Sequence, residues 1–227
     1  MSVSNWIFLG LIIVALGLLI LAYIKKLIVL QKSCECLILP LSATLITLWL
    51  TESLPDSFHI IVITIIAFTL ISLSAIFLAF ENIKTLRIAG RLASIANILC
   101  WCVLYEPIFR IHTVPAWLWI ICSIIYIAAI ITCCVLSGKQ PLLFYFLFAA
   151  AFAVVAFLHF CTLMFLCYER TVASILLFAG ASISVALIAF HFLNQAKIKT
   201  KHAGKIRYSL LVASQILIAC SNILMIR

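Results

Sequence analysis

Among the apolar runs that make up most of this chain, His159 is the one deeply placed side chain able to take up and release a proton. No Asp, Glu, Lys or Arg falls at the centre of any such run. An imidazole can serve as general acid or base, and at depth in an apolar medium it is costly without a partner. The other groups with chemical capacity are neutral. Gly90, Ser94, Asn97 and Trp101 recur at i, i+4, i+7 and i+11, which puts them on one helix face. Gly180 and Ser184 have the small-xxx-small spacing that lets helices approach closely. Ser214 and Ser221 are seven apart, as are Gln215 and Asn222, so one side of the last apolar run is polar. Such residues either hold helices together or line a ligand cavity. His159, Ser74, Asn97, Ser214 and Gln215 are the candidates for the cavity, and Gly180 and Ser184 for helix packing.

Several kinds of chemistry lack their residues. There is no HExxH for a zinc protease and no Gly-x-Ser-x-Gly elbow for a serine hydrolase. The ten cysteines lie mostly inside apolar runs, where the thiol packs as a small hydrophobe. Cys34-Glu35-Cys36 is their one cluster near a polar segment, and two thiols make a poor metal site without further ligands. No metal and no cofactor is expected. The scarcity of charge at depth also argues against proton pumps and ion-coupled carriers.

The elements that carry these residues follow from the solvent. Of 227 residues, 67% are hydrophobic and 9% charged, with a mean hydropathy of +1.36. A soluble domain keeps about a quarter of its residues charged, so hydrocarbon must surround most of this chain. A spanning helix takes roughly 20 apolar residues. That ruler predicts a single all-α membrane domain, residues 1–227, a polytopic bundle of about eight transmembrane helices. They fall near 5–24, 35–51, 58–80, 89–107, 114–137, 141–167, 171–194 and 207–226. No basic residue precedes Trp6, so the first run reads as a retained span rather than a secretory signal.

Charge sets the orientation. The connections after spans one, three, five and seven carry Lys25, Lys26, Lys32, Lys84, Arg87, Arg91, Lys139, Lys197, Lys199, Lys201, Lys205 and Arg207. The opposite side carries only Arg110, Arg170 and Arg227, together with Glu52, Asp56, Glu106 and Glu169. Basic residues collect on the cytoplasmic side, so both termini are expected outside the cytoplasm. The net charge of +9 faces anionic headgroups, and no nucleic-acid partner is implied. Trp6, Trp49, Trp117 and Trp119 sit near span ends, as interfacial aromatics do, and Trp101 lies deeper.

Eight spans with no soluble domain resemble the YhhN-like lysoplasmalogenase family. The tail Tyr208-Ser209-Leu210-Leu211-Val212-Ala213-Ser214-Gln215-Ile216-Leu217-Ile218-Ala219-Cys220-Ser221 is similar to that family's last helix. Gly180-Ala181-Ser182 is similar to its penultimate helix, and Pro40 sits where the family has a Lys-Pro pair. The resemblance implies a bacterial inner-membrane protein acting on lysophospholipids with a vinyl-ether bond. The family's acidic residues are missing, however. Span three reads Ile71-Ser72-Leu73-Ser74 and span seven reads Ser184-Val185-Ala186-Leu187, Leu39 replaces the lysine, and Asn97 stands for a histidine.

Vinyl-ether hydrolysis needs a proton donor and a base. Without the acids, the resemblance implies a relative whose catalysis is lost or whose chemistry has moved, with His159 the candidate group. The alternative is a non-enzymatic bundle that binds or transports lipid, or that scaffolds a complex. A channel is a weaker reading, since no pore-lining charge pattern is visible.

Overall fold

The structure is a computed structural model that describes residues 3–53, 58–80, 83–105, 115–196 and 203–225. Glu81, Pro55, Asp56, Glu106, Pro107, Arg110, Lys197, Lys199, Lys201, His202 and Arg227 lie outside the described residues. Eight helices follow in order: α1 Val3–Lys25, α2 Ile28–Ser53, α3 Phe58–Ala79, α4 Lys84–Tyr105, α5 Ala116–Ser137, α6 Leu142–Glu169, α7 Val172–Ala196 and α8 Ala203–Met225. Among the described residues all eight are long and apolar enough to cross a membrane. The chain is an integral, multi-pass, all-α membrane protein.

Three helices begin earlier than hydropathy alone places them. α2 starts at Ile28 rather than 35, α4 at Lys84 rather than 89, and α8 at Ala203 rather than 207. Lys32, Lys84, Arg87, Arg91, Lys205 and Arg207, which the charge pattern assigns to connections, are therefore helical. Backbone hydrogen bonds continue a helix past the hydrocarbon edge, and long basic side chains reach back to the interface. The first connection shrinks to Lys26 and Leu27, with Lys26 in the left-handed region at φ 57°.

The Cys34-Glu35-Cys36 cluster thus lies within α2. Glu35 accepts from the Tyr23 hydroxyl at 2.7 Å and from Gln31 Nε2 at 2.9 Å. Pro40 also sits inside α2, where it can donate no backbone bond.

The chain divides into two compact units, Met1–Leu104 and Tyr105–Met225. In the first, α1 packs on α2 and α2 on α3. The polar face of α4 meets α3 turn by turn. Gly90 faces Leu78 and Phe77, Ser94 bonds Ser74 at 2.5 Å, Asn97 bonds the Ala67 carbonyl at 2.8 Å, and Trp101 meets Phe68 edge-on. The four-residue pattern read from the sequence is a helix–helix seam.

In the second unit α6 packs on α7 and α7 on α8, while α5 lies more loosely against α6 and α7. α5 ends at Gly138, whose φ of 68° suits a residue without Cβ. The Tyr145 hydroxyl donates to the Gly138 carbonyl and accepts from the Gln140 amide, which closes the α5–α6 turn. Arg170, at φ 46°, ends α6. Thr171 and Ser174 then bond each other's backbone N–H, a reciprocal cap for α7. In the same unit, Tyr105 is fully buried and donates to Asn222 Oδ1 at 2.5 Å.

Candidate functional site around His159

α5 turns a narrow stripe toward its neighbours. Trp119, Cys122, Tyr126, Ile130 and Cys133 recur every three or four residues, and the rest of the helix is mostly exposed isoleucine and valine. That division is what lipid on one side and protein on the other require. Tyr126 interrupts an aliphatic run, Ile124-Ile125-Tyr126-Ile127, and carries a polar tip into the bundle.

The tip meets His159 of α6. The Tyr126 hydroxyl lies 2.6 Å from Nδ1, and the two rings are nearly perpendicular with centroids 5.9 Å apart. On the other side of the imidazole, Nε2 lies 3.0 Å from the Ser182 hydroxyl of α7. Ser182 also donates to the Phe178 carbonyl at 2.8 Å, and the Phe178 ring lies 4.9 Å from the imidazole. Three helices thus contribute one polar group each to a chain set among apolar side chains. Its half-buried imidazole has a partner on both nitrogens, as a histidine at depth requires.

A groove of about 260 Å³ runs between α5 and α6 beside this chain. Its walls include Trp119, Cys122, Tyr126, Ile130, Phe157 and Phe160. Ala153 and Ala156 leave the gap, because their side chains are too short to reach α5. Of the residues that line it, Ser123 and Tyr126 carry hydroxyl groups, and that of Tyr126 is turned to His159. Trp119 and Phe160 touch at 4.1 Å between centroids.

The other candidates are placed as follows. Ser74 and Asn97 belong to the first unit, where they bond Ser94 and the Ala67 carbonyl. Asn97 is fully buried, and among the described residues its Oδ1 has no hydrogen-bond partner. Ser214 belongs to the second unit and bonds Ser184 at 2.5 Å, while Ser184 also donates to the Gly180 carbonyl at 3.1 Å. Gln215 is buried beside Ser214 in sequence. His159 therefore gathers Tyr126 and Ser182, and Ser214 gathers Ser184.

Tyr126 and Ser182 were not among the sequence candidates. The signal for Tyr126 was a hydroxyl stranded mid-span in aliphatic surroundings. Ser182 was visible only within Gly180-Ala181-Ser182.

Among the described residues no group of three or more His, Cys, Asp or Glu side chains could hold a metal ion. The ten cysteines are free thiols. No protein-family model matches the chain, and no curated protein or solved structure matches it.

Proposed function

We propose that this membrane protein binds a single-chain lipid of the lysophospholipid type in the α5–α6 groove. In this reading it is a diverged relative of the YhhN-like lysoplasmalogenases, with catalysis lost or altered, in a bacterial inner membrane. The family and the membrane rest on the sequence resemblance alone.

The observation that carries the binding reading is the groove itself. The groove, at about 260 Å³, falls below the range of about 300 to 1,000 Å³ for drug-sized ligands, so it has room for a segment of one hydrocarbon chain and not for two side by side. Its walls are aromatic and aliphatic, and hydrocarbon is what a membrane offers to such a surface. A monoacyl lipid fits better than a diacyl one for that reason.

The hydrolytic alternative has one specific support. Hydrolysis divides its work between two proton-handling groups, and the Tyr126 hydroxyl lies 2.6 Å from His159. The family's paired carboxylates are still missing from spans three and seven.

Both readings are tested on the purified full chain in lipid nanodiscs. Binding predicts a monoacyl lipid retained at about one per chain, with no aldehyde released from lysoplasmalogen above empty nanodiscs. Aldehyde release that falls in His159→Ala would replace the binding reading with the hydrolytic one. Neither retention nor release would remove both and leave a transport or scaffold role.

A further inference from the structure

The end of the first unit where α2 begins, α3 stops and α4 starts collects positive charge around one turn. Lys32 of α2 extends over the Phe80 ring just past α3, with Nζ 5.7 Å from the ring centroid. From that turn a ladder of backbone bonds leads into α4. The Phe80 amide donates to the Phe77 carbonyl at 3.2 Å, Ile83 to Phe80 at 3.0 Å and Arg87 to Ile83 at 3.0 Å. Gly90 faces Phe77 and Leu78, so Arg87 and Arg91, which bracket it on α4, rise beside the same turn. Both arginines are partly buried.

The charge here does not balance. Glu35 accepts from Tyr23 of α1 and from Gln31, and one carboxylate neutralises one cation of the three. The sequence between α3 and α4 adds Glu81 and Lys84, which cancel. Two positive charges remain, and Lys25 and Lys26 on the adjoining α1–α2 turn add to them. Depth makes the excess costly. The apolar span of α4 begins at Thr85, so Arg91 enters it by six residues, about 9 Å. Charges within a span need countercharges or must reach back to the interface.

The surroundings select the kind of anion. Ile28, Val29, Phe80, Ile83 and Ile88 are exposed apolar side chains at this same end. A soluble anion gains nothing from them, whereas a lipid lays its acyl chains there while its headgroup meets the cations. A zwitterionic headgroup carries no net charge, and a phosphodiester brings one negative charge. A phosphomonoester carries about −1.5 to −2 at pH 7. Guanidinium forks match its oxygens two at a time.

We propose that this end of the first unit binds a phospholipid with a phosphomonoester headgroup, held through Lys32 and Arg87. Arg91 adds its charge one turn deeper. The site belongs to a different unit from the α5–α6 groove and does not depend on the reading of that groove.

The test uses the full chain in neutral detergent, with bound lipid counted by native mass spectrometry. The probes are phosphatidate, phosphatidylglycerol and phosphatidylcholine with identical acyl chains, and inorganic phosphate. Phosphatidate should bind roughly tenfold tighter than phosphatidylglycerol, and the other two more weakly still. Lys32→Gln and Arg87→Gln should each weaken phosphatidate binding by roughly three- to tenfold. Arg87→Lys should retain part of what Arg87→Gln loses. Lys139→Gln, which removes one charge from the α5–α6 turn, should change binding less than about twofold. Thermal unfolding without lipid checks that each variant is folded, and Lys32→Gln with Arg87→Lys carries the comparison if Arg87→Gln is not.

Equal losses from Lys32→Gln and Lys139→Gln would mean diffuse attraction to charge and would overturn the proposal. So would phosphatidylglycerol binding as tightly as phosphatidate, or inorganic phosphate binding as tightly as either. Phosphatidate bound no better than phosphatidylcholine sinks it as well.

Discussion

Gly180 of α7 lies directly against the Ser214 carbonyl of α8: a Cβ at Gly180 would stand 3.0 Å from that oxygen and 2.8 Å from Ile218 Cγ1. The first obstacle is backbone and cannot swing away. Without an aqueous driving force, membrane helices associate by close packing, and a missing side chain is what permits it. Gly180→Ala should destabilise the protein by about 1–3 kcal/mol through overpacking. Gly17 of α1 has open space around its Cβ position, so Gly17→Ala should be neutral or stabilising by up to about 1 kcal/mol. Thermal unfolding of both variants in one detergent separates the cases, and equal behaviour would refute the close-approach account.

Ser184 and Ser214 bridge the same seam at 2.5 Å. Interhelical hydrogen bonds in membranes are worth about 0.6 kcal/mol on average and about 1.7 at most. A double-mutant cycle with Ser184→Ala and Ser214→Ala should return a coupling within that range. A coupling near zero would mean that shape alone holds α7 to α8.

Asn97 tests the remaining half of the sequence-derived cavity. Its Nδ2 reaches the Ala67 carbonyl, while its Oδ1 is buried without a partner among the described residues. Replacing the amide by a similar apolar volume removes one weak bond and one unsatisfied acceptor together. Asn97→Leu should therefore shift stability by less than about 1 kcal/mol. If lipid retention falls at unchanged stability, Asn97 lines a ligand site. Unchanged retention assigns it to the α3–α4 seam.

The charge asymmetry predicts sidedness. Reporter fusions at Lys26 and at Lys139 should report the cytoplasm, and fusions at Arg170 the opposite side. Opposite readings from Lys26 and Lys139 would break the eight-span alternation.

The face made by Gly90, Ser94, Asn97 and Trp101 was legible because helical period depends on sequence position alone. Each of its members meets a residue of α3. Helix ends were less legible. A hydropathy ruler stops at Lys32 or Arg87, but a helix does not, because its hydrogen bonds are satisfied internally whatever the side chain. The partners of His159 were not legible at all. Tyr126 and Ser182 stand 33 and 23 residues away on other helices.

Composition by itself determined the solvent, and the solvent determined the architecture: a chain with so few charges must bury its backbone polar groups in helices that cross a membrane. Which hydroxyl reaches which imidazole depends on how helices rotate about their axes and which neighbours they meet. In a bundle that is apolar nearly all round, period and hydropathy leave that rotation undetermined. Only tertiary packing turned Tyr126, His159 and Ser182 toward one another and left Ala153 and Ala156 beside them too small to close the gap.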